Sequence, residues 1–265
     1  MNSSLSLLSH GVVLRAIARV VFLEAVRGRL LWLVIAILII GLGLAEFTAD
    51  VAITESEQIV RGLLGSWLRA SAVFVMALFV VTSMVRDFND KGTELILSLP
   101  IPRGVYLFGR LAGYSGVAAV MALLCGLFLL LYVPVDQALI WSLSLLCELI
   151  LIVALAVLCL LTLNHTTLGM SAVMGFYLLA RAMGAIELIG QNPLLDLSSV
   201  SQQVINSLLT GLAYLLPDLY HFTLSQWLIY EDATPQVLLP ILGQSFIYVV
   251  LLCAASLFDL QRKVL

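Results

Sequence analysis

Three charged residues within long apolar runs are the first candidates for chemistry in this sequence. Glu148, Arg181 and Glu187 each lie among mostly apolar residues. A charged side chain that faces lipid raises the free energy of membrane insertion, so such residues face protein or a water-filled cavity. There they can line a path for a polar substrate, or they can pair with one another.

Glu148 and Arg181 have similar predicted depths in their runs. Counted from the outer ends, Glu148 lies about ten residues deep and Arg181 about eight, which is about 15 Å and 12 Å by helical rise. We therefore predict an ion pair that joins two neighbouring helices. The pair, or Glu187, could line a substrate path, but a structural clamp that satisfies both charges is the favoured role.

A second polar feature is the stretch FNDKGTELILSLPIPR at 88–103, which separates two apolar runs. Residues 93–99 make only about two helical turns, too short to cross a membrane, and Pro100 and Pro102 prevent a continuous helix into the next run. Its leucines could insert into a groove of another protein, with charged residues at the rim. Alternatively, the stretch is a charged turn lying flat at the membrane surface.

No catalytic motif accompanies these residues. The sequence has no GxSxG, no HExxH and no pair of intramembrane aspartates, and its histidines, His10, His165 and His221, are far apart. A P-loop requires a lysine that follows glycine, but Lys91 follows aspartate and Lys263 follows arginine. We therefore expect a protein that is not an enzyme, holds no metal and hydrolyses no ATP by itself.

The composition is that of an integral membrane protein. Of the 265 residues, 62% are hydrophobic and 11% are charged, and the mean hydropathy is +1.11, which excludes an ordinary soluble domain. The net charge of −3 gives no basic surface for nucleic acid. The four cysteines lie in apolar runs and predict no disulfide.

Six apolar runs are long enough to cross a bilayer as helices. The sequence therefore predicts one all-α transmembrane domain over 1–265. The mixed apolar and basic stretch at 12–30 predicts an N-terminal helix lying in the membrane interface. The predicted spans are approximately 29–47, 66–85, 105–132, 138–162, 168–189 and 236–258.

Residues 190–235 are too polar to span a membrane but are not a plain linker. Apolar residues between Val200 and Leu216 fall on one helical face, which predicts an extracytoplasmic amphipathic helix, or a shallow re-entrant hairpin, before the last span. The aromatic residues after it are typical of a belt at the membrane surface. These are Tyr220, Phe222, Trp227 and Tyr230.

The distribution of basic residues predicts the orientation. Ten of the thirteen lie in the N-terminus, between 86 and 110, or in the C-terminus; Arg61 and Arg69 lie on the other side, and Arg181 lies in a span. With six spans, the positive-inside rule places both termini and the 86–104 segment in the cytoplasm. The ten are Arg15, Arg19, Arg27, Arg29, Arg86, Lys91, Arg103, Arg110, Arg262 and Lys263.

The stretch KGTELILSLPIPRGVYLFGRLAG at 91–113 resembles the sequence after the second span in permeases of the ABC-2 family of ATP-binding cassette transporters. Arg110 stands where these permeases often have lysine, while Asp87, Asn89 and Asp90 stand where they often have glutamate. The matching residues are Gly92, Thr93, Glu94, Leu95, Leu97, Ser98, Pro100 and Arg103.

The resemblance implies a function and a set of partners. In that family the corresponding segment, here 86–104, is a short coupling helix that sits on a separate cytoplasmic ATPase subunit. Two permease copies, here expected as a homodimer, form the pathway of an exporter in the cell (inner) membrane. Two copies of the ATPase bind ATP and magnesium.

The resemblance also implies that the second and fifth spans of the two copies flank the central pathway, and the fifth span has a pattern of small residues. Its small residues, Ser171, Gly175, Ala180 and Gly184, permit close helix packing. They could meet the second copy or pack within one subunit.

Two other functions compete with the permease. An ion-coupled secondary transporter would show inverted repeats and several acids at mid-membrane, whereas the sequence shows no repeat and one clear deep acid, Glu148. A membrane scaffold protein would need no pathway at all. No residue selects a substrate.

Overall fold

The computed structural model describes residues 2–51, 56–89, 102–163, 165–191, 211 and 216–262; for residues 2–10 and some others near helix ends it describes the backbone alone. Within these ranges nearly every residue is helical and no strand occurs, which confirms the all-α class. The helices are α1 Asn2–Arg27, α2 Leu30–Val51, α3 Ser56–Asn89, α4 Arg103–Leu129, α5 Val135–Leu163, α6 Thr166–Gln191, α7 Gln226–Tyr230 and α8 Leu238–Arg262, with 3₁₀ helices at Leu219–His221 and Pro235–Val237.

Five helices in the described residues are long and apolar enough to cross a membrane, which confirms a multi-pass membrane protein. They are α2, α3, α4, α5 and α8. The predicted span 168–189 falls in α6, which is not among these five, and its crossing stays a prediction.

The second helix of the membrane bundle begins earlier than hydropathy indicated. The predicted span started at residue 66, but α3 begins at Ser56. Its first turns carry Arg61 and Arg69, whose charges lower the hydropathy without preventing the helix. Arg61 pairs with Glu57 one turn earlier in α3 and with Glu231, so its charge is compensated.

Helix α5 is the centre of the bundle. Its most apolar stretch is 72% buried inside the protein, compared with 17% for α2 and 11% for α8. It packs against α3, α4, α6 and α8. Since α5 is apolar on nearly every side, the other helices enclose it, while the other described helices leave most of the surface of α2 and α8 uncovered.

The N-terminal helix packs on the bundle. Helix α1 lies along α4, and it buries Val21 and Ala25 at four-residue spacing while its arginines are exposed. It ends at Arg27, and the N–H of the next residue, Gly28, donates to the carbonyl oxygen of Glu24 at 2.8 Å. The chain then turns directly into α2.

Two glycines of α4 allow α1 to approach closely. A Cβ atom added at Gly113 would lie 2.7 Å from Cβ of Val21 and 3.0 Å from the carbonyl oxygen of Ala18. A Cβ at Gly109 would lie 3.0 Å from Cβ of Ile17. The four-residue spacing of these glycines is the one that brings helix backbones together.

We predict that Gly113→Ala loosens the contact between α1 and α4. The added methyl group has no space at this contact, and overpacking of this kind costs about 1–3 kcal/mol. Thermal unfolding in detergent should therefore shift down, and trypsin should cleave faster after Arg15 and Arg19. Gly116→Ala is the matched control, because its nearest neighbour, Phe22, would lie 4.0 Å away. Equal effects of the two substitutions would contradict the proposed close approach.

Candidate functional site

Most of the residues matched to the coupling helix lie outside the described part of the chain. These are Gly92, Thr93, Glu94, Leu95, Leu97, Ser98 and Pro100. Arg103 is described, and Nη1 donates to the carbonyl oxygens of Leu260 at 3.0 Å and Gln261 at 3.2 Å. Because a helix leaves its last carbonyls without partners, Arg103 caps the end of α8 and joins it to the start of α4.

The structure brings Glu148 and Arg181 together. Nη1 of Arg181 lies 3.7 Å from Oε1 of Glu148, a distance for an ion pair without a direct hydrogen bond. The Glu148 side chain is 0% exposed. Glu187 lies on α6 after Arg181, but its side chain is outside the described residues.

Hydroxyl groups from two other segments occupy both oxygens of the Glu148 carboxylate. Tyr177 on α6 donates to Oε1 at 2.9 Å. Thr223, in the segment before α7, donates to Oε2 at 2.6 Å. A buried carboxylate needs such donors, since burial removes the water that would otherwise solvate its charge.

The guanidinium of Arg181 binds the same segment before α7. Its Nη1 donates to the carbonyl oxygens of Leu219 at 2.6 Å and Phe222 at 2.7 Å. Arg181 therefore acts in two ways: its charge compensates Glu148, and its hydrogen bonds hold the backbone of the neighbouring segment.

Thr223 has the least common backbone conformation in the described part of this site. Its φ is 45°, in the left-handed region that a β-branched residue rarely adopts. Its N–H donates to Oγ of Ser144 at 3.0 Å, and its carbonyl oxygen accepts from Nη1 of Arg69 at 3.0 Å. These bonds, with the one to Glu148, offset the cost of the conformation.

We call the group of six residues that meet here the Thr223 joint. It connects α3, α5 and α6 to the segment before α7 and leaves neither oxygen of Glu148 without a hydrogen-bond donor. The joint is therefore better suited to holding these segments together than to binding a ligand. The joint consists of Arg69, Ser144, Glu148, Tyr177, Arg181 and Thr223.

Sequence reasoning missed four members of the joint. Arg69 carried a usable signal, because it is a charged residue inside the predicted span 66–85. Ser144, Tyr177 and Thr223 gave no such signal, since hydroxyl side chains are common in membrane helices and loops. Among the described residues, no three His, Cys, Asp or Glu side chains come together as metal ligands would.

The aromatic belt predicted around residues 220–230 is wrong for two of its members. Phe222 is 0% exposed and Trp227 is 5% exposed, so both are in the protein core. The hydrogen bonds of the Thr223 joint hold this segment inside the bundle, where the neighbouring aromatic rings are buried. Tyr230, at 66% exposed, does lie on the surface.

The small residues of α6 do not form one common face. Ser171 and Gly175 are exposed, and a Cβ at Gly175 would meet nothing within 4 Å in the described chain. Ala180 is buried, and a Cβ at Gly184 would lie 2.5 Å from the ring of Tyr220. The latter two residues serve packing within one subunit.

A second polar group, which we call the elbow network, lies where α1 turns into α2. Arg110 on α4 forms an ion pair with Asp87 near the end of α3. Nη1 of Arg110 also donates to the hydroxyl of Tyr114 at 3.1 Å, which in turn donates to Oγ of Ser83 at 3.1 Å.

The elbow network continues onto α1 through Glu24. Ser83 donates to Oε2 of Glu24 at 2.8 Å, and Nη1 of Arg86 lies 3.4 Å from Oε1. The network thus connects α1, α3 and α4. In the sequence, Asp87 precedes the 90–101 stretch by three residues and Arg110 follows it by nine.

Comparison of the chain with protein-family models gave no match, and comparison with curated proteins gave none either.

We predict that Glu148→Ala strongly destabilises the protein. The substitution leaves Arg181 without its counter-charge and the hydroxyls of Tyr177 and Thr223 without an acceptor. Breaking a buried ion pair in this way costs about 3–5 kcal/mol of unfolding free energy, which unfolding by SDS in mixed micelles would measure. Glu57→Ala is the control, because the exposed pair of Glu57 with Arg61 is worth at most about 1 kcal/mol. Similar losses for both variants would exclude a clamp at Glu148.

Proposed function

We propose that this chain is the transmembrane permease subunit of an ABC-2 type exporter. Two copies form the pathway, and a separate cytoplasmic ATPase, in two copies, binds ATP and magnesium. The observation that carries the proposal is the stretch at 91–113, with Gly92, Thr93, Glu94 and Pro100 at the positions of a coupling helix. The subunit itself is not an enzyme, and its site is the inner membrane of the cell.

The surroundings of the 90–101 stretch support a role in transmitting force. On one side Asp87 is paired with Arg110, and on the other Arg103 is bonded to the end of α8. A displacement of the stretch by a partner would therefore reach α3, α4 and α8 together. Movement of packed helices as a group is a common means of coupling distant sites.

The packing of α6 supports a sixth crossing of the membrane. Near one end of the α5–α6 pair, a Cβ at Gly169 would lie 2.9 Å from the side chain of Leu160. Further along, Arg181 faces Glu148. The two helices are therefore antiparallel over twelve residues of α5, about 18 Å. Six crossings place both termini on one side, and the basic residues make that side the cytoplasm.

The arrangement of the charges favours a pathway between two copies over one inside a single copy. The Thr223 joint closes the outer part of the α5–α6 pair, and both oxygens of Glu148 are already bonded. The outward residues Ser171 and Gly175 are available for a second copy. We therefore assign Glu148 and Arg181 to the clamp, with a homodimeric pathway along α6.

The alternatives are an ion-coupled secondary transporter and a membrane scaffold protein. An ion-coupled transporter needs a carboxylate that can bind and release the coupling ion. Both oxygens of Glu148 instead accept hydrogen bonds from hydroxyl groups, and a guanidinium lies nearby. The closed packing of the joint would suit a scaffold equally well. The partner that binds the 86–104 segment decides between permease and scaffold.

We predict that a tagged chain, purified in mild detergent from its native membrane, brings with it an ATP-binding-cassette ATPase. Glu94→Arg should remove this partner and the ATPase activity of the eluate, because it reverses a charge on the proposed docking segment. Mass spectrometry of the eluate identifies the partner.

Glu46→Arg is the matched control for this experiment. It makes the same charge reversal on an exposed residue near the C-terminal end of α2, away from the proposed docking segment. The ATPase partner should therefore be retained. A pure preparation without any ATPase would overturn the permease assignment and favour the scaffold. Equal retention of the ATPase by Glu94→Arg would overturn the assignment of this segment as the coupling helix.

The six-span topology predicts opposite labelling of two introduced cysteines. In a chain whose four native cysteines are replaced by alanine, Tyr230→Cys should react with a membrane-impermeant maleimide in intact cells. His165→Cys, between α5 and α6, should react only after lysis. Labelling of both sites in intact cells would show that α6 does not cross.

A further inference from the structure

A cleft of about 580 Å³ opens between α2 and α3 beside the elbow network. It is polar at one end and apolar along the rest. Arg29, Arg86 and Glu24 line the polar end, and Leu33, Val75 and Phe79 are among the residues that line the apolar part. A site with this division of properties fits an amphiphile better than a small soluble ion.

The polar end of the cleft has an excess of positive charge. Both oxygens of Glu24 have partners, Ser83 at 2.8 Å and Arg86 at 3.4 Å. Arg86 remains 62% exposed at its side chain. Arg29 is exposed and belongs to none of the ion pairs of the described residues. The two guanidinium groups of Arg29 and Arg86 and the single carboxylate of Glu24 leave a net positive charge, which suits one anionic group.

The apolar part has the length and the exposure to hold an acyl chain. From Arg86 to Val75 the cleft follows one face of α3 over eleven residues, about 16 Å by helical rise. On the facing wall Leu33 is 42% exposed. Since α2 is only 17% buried, the apolar part of the cleft borders the surface that α2 presents to lipid.

We propose that this cleft is a binding site for one anionic phospholipid. The phosphate binds between Arg29 and Arg86, and an acyl chain lies along Leu33, Val75 and Phe79. Because α1 turns into α2 at this point, a bound lipid fills the space between the turn and α3. The proposal is independent of any ATPase partner.

The test is a titration of the delipidated full chain in detergent, followed by native mass spectrometry. The probes are palmitoyl-oleoyl phosphatidylglycerol, and phosphatidylcholine and phosphatidylethanolamine with the same acyl chains. We expect the phosphatidylglycerol to bind most tightly. Arg29→Gln should weaken it about fivefold, the contribution typical of one arginine near anionic lipid. Arg19→Gln, an exposed arginine of α1 outside the cleft, is the charge-matched control and should change nothing.

A second pair of variants tests the apolar part without changing charge. Leu33→Trp fills the cleft and should lower phosphatidylglycerol binding, while Ile39→Trp, on the 62% exposed surface of the same helix, should not. Equal binding of the three lipids, tighter binding of phosphatidylethanolamine, or equal effects of Arg29→Gln and Arg19→Gln would overturn the proposal. Complete competition by glycerol phosphate would also overturn it, since the site would then recognise a free phosphate ester.

Discussion

The charge of Glu148 in the middle of the bundle is the constraint on which the packing of α5, α6 and the segment before α7 depends. A carboxylate that is 0% exposed has no water to solvate it, so the protein must supply the donors. The donors come from α6 and from the segment before α7. To bring Thr223 within 2.6 Å, that segment must enter the bundle, and this explains why Phe222 and Trp227 are core residues.

The same requirement organises the other end of the bundle. Glu24, Asp87 and Arg110 are charged residues next to apolar helix surfaces, and each has a charged or hydroxyl partner on a neighbouring helix. Few polar residues are available in this chain, so those few determine which helices are joined. Apolar packing surrounds the two polar groups but is less selective, because any well-shaped apolar surface can be buried against another.

Most of the helices and their order along the chain could be predicted from the sequence, because apolar runs of about 20 residues generally cross a bilayer as helices. The meeting of Glu148 and Arg181 was also predictable, since both depths follow from the regular rise of a helix. The role of Thr223 was not, because it depends on a left-handed backbone conformation in an irregular segment. Nor could composition distinguish Trp227 in the core from Tyr230 on the surface, as both aromatics suit either place.

The contact between Gly113 and Val21 shows an intermediate case. The spacing of Gly109 and Gly113 is visible in the sequence and indicates a close helix contact. It does not identify the partner, which is the N-terminal helix α1 that the charge pattern had placed at the membrane surface. The structure shows the packing, since α1 exposes its arginines and buries its small and branched residues against α4, while its place at the membrane surface stays a prediction.

Helix α3 belongs to both polar groups and therefore links the two ends of the molecule. Arg69 binds the carbonyl of Thr223 at one end, and Asp87 pairs with Arg110 at the other. The eighteen residue steps from Arg69 to Asp87 span about 27 Å of continuous helix. If α3 moves as a rigid body, a shift of its Asp87 end also moves Arg69 and the carbonyl group of Thr223 to which Arg69 is bonded. Because the polar groups fix both ends, a force applied beside Asp87 acts on the segment before α7 as well.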